Sequence, residues 1–164
     1  GTRPIYAHLP LVLATDKSKL SKRKHGESVS LKYYRDQGYE KESLINFLAL
    51  LGWNPGGEQE IFSIKELIEK FDISKVQKKG AIFNVEKLDW LNREYILQME
   101  FEEQFSIFNL EFSKTKWGKH EKSKDNEFMK KFAKILLDRI HRWGEVSEAI
   151  DQGEFDYLFE KPTL

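Results

Sequence analysis

The chain has 164 residues, with 27 Lys and Arg against 27 Asp and Glu, and no cysteine. Zero net charge means that overall electrostatics announce no nucleic-acid partner, so any such surface is local. The missing thiols exclude disulfides, cysteine zinc sites and cysteine nucleophiles. A 40% hydrophobic content with four Trp and twelve Phe allows a real core, enough for one domain or two small ones. No run approaches the roughly 20 apolar residues a membrane helix needs, and no secretory signal is present; the default compartment is the cytoplasm.

Residues 9–14 form an apolar run interrupted only by Pro10, which predicts a short strand. Asp16-Lys17-Ser18-Lys19 follows as a turn, because Asp and Ser bond their own backbone. The stretch Lys19-Leu20-Ser21-Lys22-Arg23 sits in a basic start, where Arg3, Lys17, Lys19, Lys22, Arg23 and Lys24 face the single acid Asp16. His25-Gly26 ends any regular element, so two lysines and an arginine are expected on a loop. Lysine is a compact charge on a flexible stem, suited to phosphate oxygens that move. Such a loop can stabilise the negative charge that builds as pyrophosphate leaves a nucleotide. From charge alone, a solvated surface loop is the simpler reading.

Helices are predicted over 28–37, stopped by Gly38, and over 41–51. In the second, Leu44, Phe47, Leu48 and Leu51 recur at helical spacing, widened by Ile45, Ala49 and Leu50, so it is expected to be mostly buried. Ser63 and Glu66 have the form of a capping box for a helix over 64–71, with Phe62 and Leu67 as its hydrophobic staple. Ser74 and Gln77 suggest a weaker box. Residues 81–83 read as extended, and Asn84 caps a helix over 85–98 with Leu88, Leu91 and Tyr95 on one face. Trp90 is assigned to the core. Phe101, Phe105, Phe108 and Phe112 form a helical core stripe.

Residues 113–124 are a second basic stretch, five lysines around Trp117 with one acid, Glu121. Phosphate contact with Trp117 stacked on a base is conceivable; a solvated loop with Trp117 tucked against a helix is the plainer reading. Asp125 or Asn126 caps a helix expected to reach Trp143 and to stop at Gly144. A short helix over 145–152 ends at Gly153. The fold class is therefore mainly α, with two minor strands near the beginning and a boundary placed between Ile96 and Phe101. The four histidines lack metal spacing, and no Gly-rich phosphate loop occurs.

Tyr6-Ala7-His8-Leu9-Pro10-Leu11-Val12-Leu13, followed by Lys19 to Arg23, resembles the signature loop of class I aminoacyl-tRNA synthetases as glutamyl-tRNA synthetases write it. The loop pattern is usually quoted as KMSKS; here Leu20 stands second and Arg23 fifth. The resemblance continues through Tyr39, Ser43-Leu44-Ile45-Asn46-Phe47-Leu48, Gly52-Trp53, Glu60-Ile61-Phe62-Ser63 and Asp89-Trp90-Leu91-Asn92, nearly unbroken over 5–96. It weakens beyond Gln98, although Asp138-Arg139-Ile140 and residues 155–162 still look like the family's helical anticodon-binding region.

The resemblance implies a catalytic pair, Lys19 and Lys22, with Lys22 contacting ATP, Lys19 its companion charge, Ser21 shaping the loop or donating a hydrogen bond, and Arg23 beside them. It implies a small mixed element carrying the loop, a helical stem-contact region over 1–98 and the start of an anticodon-binding subdomain over 99–164. The implied partners are tRNA(Glu), glutamate and ATP, with Mg²⁺ in the parent enzyme, which is taken as a monomer. Gly1-Thr2 is not a natural start, so a piece cut from a longer protein is expected. No His-x-Gly-His motif occurs, so this piece alone is expected not to make glutamyl-adenylate. A glutaminyl enzyme would continue in β-barrels, and the paralogue that glutamylates queuosine would lack the later helices. Two readings of other classes stay open: a non-catalytic tRNA-binding module, and a helical protein-interaction domain.

Overall fold

The computed structural model describes residues 2–4 and 6–160; the resemblance at Ile5 and at residues 161–162 lies outside them. Strand β1 (Val12–Leu13) lies parallel to β2 (Ala81–Ile82), Val12 opposite Ala81 and Leu13 opposite Ile82. Ala81 and Phe83 donate to the Leu11 and Leu13 carbonyls at 3.1 and 2.8 Å. The strand expected over 9–14 shrinks to two residues, since Pro10 has no N–H and Leu9 and Leu11 are exposed. The second strand lies late in the chain, beyond the helices that cross over from β1.

That crossover starts with a one-turn helix, α1 (Lys22–His25), where an irregular loop was expected, and a 3-10 turn at Gly26–Val29. The helix expected over 28–37 is broken at Ser30, whose extended backbone ends the 3-10 turn. Its hydroxyl accepts from Tyr33 N at 3.2 Å and so starts α2 (Leu31–Asp36). Gly38, at φ +79°, ends it.

Helix α3 (Lys41–Leu50) is less buried than its composition suggested. Ser43, Asn46 and Phe47 are buried, but Ile45 and Leu48 are 48% and 41% exposed. The helix is covered on one side only, by α4 (Ile64–Lys70) and α5 (Val85–Gln98). The predicted capping box is present: Ser63 N donates to Glu66 Oε2 at 2.8 Å, and Glu66 N to Ser63 Oγ at 3.2 Å. Phe62 and Leu67 pack in one cluster with Trp53. The next turn, Ile73–Lys75, is capped by Asp72 rather than Ser74, because the Asp72 carboxylate reaches Ser74 N at 2.8 Å.

Asn84 caps α5 as predicted, accepting from Lys87 N. Leu88, Leu91 and Ile96 are buried, whereas Trp90 is 39% exposed and not a core residue. One position before Leu91 and two after Leu88, it falls on the other helix face. In α6 (Phe101–Ser113), Phe101, Phe105, Phe108 and Phe112 stack successively at 5.9, 6.4 and 6.0 Å. Phe108 meets Phe132 of α7 (Asn126–Leu137) edge-on at 5.8 Å. Asp125 caps α7, which ends six residues before Trp143.

Gly144 opens α8 (Gly144–Asp151) instead of ending α7. The chain turns there because tertiary partners take its polar groups. Arg93 donates to the Asp138 and Ile140 carbonyls, and the Trp143 and Gly144 amides donate to Gly38 and Gln37. After Gly153, α9 (Asp156–Phe159) closes the large core around α6–α8.

A buried polar knot joins the two ends. Asn92 Oδ1 accepts from Ser43 Oγ at 2.6 Å and Glu40 N at 2.8 Å, while its Nδ2 donates to the His141 carbonyl at 2.6 Å. Trp143 Nε1 donates to Glu40 at 2.6 Å.

Candidate functional site

The basic stretch is organised as a tight turn rather than a free loop. Leu13 and Lys19 form an antiparallel bridge, and Leu20 N donates back to Val12 O at 3.0 Å. Ala14 N meets Ser18 O at 2.8 Å, with Lys17 at the tip in the left-handed region, φ +62°. Asp16 fastens the turn. Its Oδ1 accepts from Ser18 N and Oγ at 2.9 and 2.6 Å, and its Oδ2 from Lys24 Nζ at 2.6 Å. Hydrogen bonds from Lys24 and Ser18 hold the Asp16 carboxyl far below the usual carboxylate range.

This arrangement sorts the cations. Lys24 is committed to the turn. Lys22 pairs with Glu27 at 3.2 Å, but both side chains are well exposed, at 62% and 72%, and an exposed pair of this kind is weak. Among the described residues, no carboxylate lies within ion-pair distance of Lys19 or Arg23, and both are exposed. The four site residues lie within positions 19–23, at the end of the turn and the start of α1. Lys19 stands at the foot of the turn, Ser21 is the N-cap residue of α1 with its hydroxyl unused for capping, and Lys22 and Arg23 open the helix.

Ser21 and Lys22 also edge a cleft of about 410 Å³ whose floor is apolar, with Val12, Leu44, Leu48 and Phe83. Tyr34 anchors the segment behind it. Its hydroxyl donates to Ser28 O at 2.7 Å, and burial pushes the phenol up to about 12. Two participants were not singled out from sequence. Glu27 holds Lys22, and His25 contacts Ser21 across one helical turn; the spacing of four between Ser21 and His25 was the available signal.

The second basic stretch is built differently. Trp117 stacks on Phe159 at 5.4 Å, and its Nε1 donates to Asp156 at 2.7 Å, with Lys116 on the same carboxylate. Trp117 is packed against α9, in line with the plainer reading, and offers no free face to a base.

The structure thus joins a parallel strand pair by a helical crossover that begins, directly after β1, in a turn presenting exposed lysines. The family described as tRNA synthetases class I (E and Q), catalytic domain, matches residues 1–90. The chain belongs to this family. It is 51% identical over 100 residues to the glutamate–tRNA ligase of Desulforamulus reducens, an alignment covering 61% of this chain and 20% of that protein. It is 39% identical over 159 residues to the glutamate–tRNA ligase of Thermodesulfovibrio yellowstonii, covering 97% of this chain and 34% of the relative. The crystal structure of a glutamate tRNA ligase from Elizabethkingia meningosepticum superposes with a TM-score of 0.77 at 30% identity, covering 98% of this chain and 33% of that one. The chain therefore spans about a third or less of the length of these relatives.

Proposed function

We propose that the chain is part of a glutamate–tRNA ligase, in which it supplies the ATP-contacting turn and part of the tRNA-binding surface. The observation that carries the reading is the sorting of cations along the turn: Lys24 is tied to Asp16, while Lys19, Lys22 and Arg23 stand exposed and Lys22 edges the cleft.

In the parent enzyme a glutamate carboxylate oxygen attacks the α-phosphorus of ATP. The bond from that phosphorus to the bridging oxygen breaks, and pyrophosphate departs with the electron pair. Lys22 exchanges Glu27 for the departing phosphate oxygens, and Lys19 adds the second charge. Both are stronger in the transition state, where negative charge accumulates, than in the ground state. Ser21 Oγ is free to donate to a phosphate oxygen, and Arg23 flanks them. The acyl-adenylate then passes glutamate to a ribose hydroxyl of tRNA(Glu), with AMP leaving.

The rim is cationic, and among the described residues no cluster of three His, Asp or Glu could hold a metal. Such a cationic rim does not fit the Mg²⁺ of the parent reaction. Residues 1–98 form the stem-contact end of the catalytic domain, and 99–164 begin the helical anticodon-binding domain. The parent is a cytoplasmic monomer. No helix among the described residues is long and apolar enough to cross a membrane.

Placed in the full-length enzyme, Lys22→Ala should lower glutamate-dependent exchange of pyrophosphate into ATP by about 10²-fold or more. The isolated 164-residue chain should support no exchange at all. Exchange by the isolated chain, or an unaffected Lys22→Ala enzyme, would count against the proposal. Salt-sensitive tRNA binding without any exchange in the full-length protein would favour a non-catalytic tRNA-binding module.

A further inference from the structure

We propose that His25 is a positioning residue for the ATP-contacting turn: its imidazole, not the Ser21 hydroxyl, holds the start of α1 closed. This rests on the reading of Lys22 as an ATP contact.

A single turn of helix is unstable by itself, since nucleation fixes several dihedrals for one hydrogen bond. Something must hold it. The usual device is an N-cap side chain, and Ser21 is both a preferred type and extended, at φ −154° and ψ 145°. Its hydroxyl nevertheless makes no capping bond. The ring of His25 acts instead. His25 Nδ1 lies 3.2 Å from both Ser21 N and Ser21 O, accepting from the one or donating to the other according to its tautomer, while His25 N donates to Ser21 O at 2.9 Å. Ser28 Oγ in turn donates to His25 O at 2.7 Å. The backbone N–H and C=O of Ser21 are thus both met by one residue.

Whichever tautomer the ring adopts, Nε2 is buried without a partner among the described residues. Burying an unpaired polar atom is unfavourable, and a leucine would fill the space without that penalty. Packing therefore does not explain an imidazole here, whereas the contact of Nδ1 with the Ser21 backbone does. The consequence is a division of labour in which Ser21 Oγ stays available and Lys22, the next residue, is fixed in direction.

The test is made in the full-length enzyme by pyrophosphate exchange with tRNA present, comparing His25→Asn, His25→Leu and His25→Ala. An Asn amide can stand where Nδ1 does, accepting from Ser21 N or donating to Ser21 O; Leu fills space without a polar atom. The expected result is a loss of about tenfold to a hundredfold in kcat for Leu and Ala, as misplaced groups give, with KM for glutamate unchanged. Asn should recover kcat to within about threefold of the starting enzyme, set by a single neutral hydrogen bond. Activity restored by Leu and not by Asn, or no loss in any variant, overturns the proposal. If Ala and Leu do not fold, Asn decides alone, and a third variant that also fails to fold makes His25 a core residue and overturns it. Lys22→Ala run alongside separates the two failures. Full exchange in that variant defeats the ATP reading itself, whereas loss there with intact His25 variants defeats only this inference.

Discussion

Both carboxylate oxygens of Asp16 are taken by groups of its own turn, and this decides which of the nearby lysines remain available. Sequence reading singled out Lys19, Ser21, Lys22 and Arg23 from the basic stretch and the family resemblance. It did not single out the exposed Glu27 partner or use the spacing of Ser21 and His25, since both contacts depend on the chain bending into α1 and the 3-10 turn. Burial is the other residue-scale fact that composition conceals. Tyr34 is 4% exposed and its phenol is pushed up to about 12; Tyr39, half-buried and bonded to Asp89, is pushed further in the same direction. A raised folded pKa means that the fold binds these protons more tightly than the unfolded chain does. Their contribution is complete below the unfolded value of 10.0 and is lost as pH rises from there through about 12. The urea midpoint should therefore fall over that interval, and Tyr34→Phe should flatten the fall. A midpoint independent of pH there would contradict the burial described.

At the scale of elements, caps were legible and ends were not. Ser63 with Glu66, and Asn84, cap as their residue types dictate because capping is local. The end of α7 was misplaced by six residues, since its hydrophobic pattern continues through Ile140 and Trp143 while the carbonyls of Asp138 and Ile140, just beyond the helix, are captured by Arg93. The same junction makes Gly38 sensitive. It sits at φ +79°, and a Cβ there would stand 2.6 Å from Gly144 N and 2.8 Å from Trp143 Cβ. Gly38→Ala combines a strained backbone with a clash against backbone that cannot yield. It should cost more than about 1 kcal/mol in urea unfolding, with the amides of Trp143 and Gly144 losing protection in hydrogen exchange. An unchanged exchange pattern would mean that α2 and α8 are not held this way.

For the whole molecule, the decisive feature is Asn92, fully buried on α5 and bonded to Ser43, Glu40 and His141 at once. It ties the part carrying the basic turn to the helices that follow. Asn92→Ala leaves Glu40 N and the His141 carbonyl without their partners, while Ser43 Oγ keeps the Glu40 carbonyl; each lost partner costs about 1–3 kcal/mol. The 164-residue chain should unfold in one transition. The variant should unfold earlier, with separate midpoints for tryptophan fluorescence and helical circular dichroism; coincident, unshifted midpoints would refute the coupling. The predominance of helix, the Phe stripe of α6, the position of the basic turn and the family resemblance were all determined by the residues themselves, because periodicity, capping and motif are properties of neighbours in the chain. Tertiary structure alone decided the parallel pairing of β1 with β2, the exposure of Trp90 and of Ile45 and Leu48, the early end of α7 and the partners of each lysine. Those outcomes turn on which distant groups arrive at hydrogen-bonding distance or leave a face uncovered, and no local pattern encodes that.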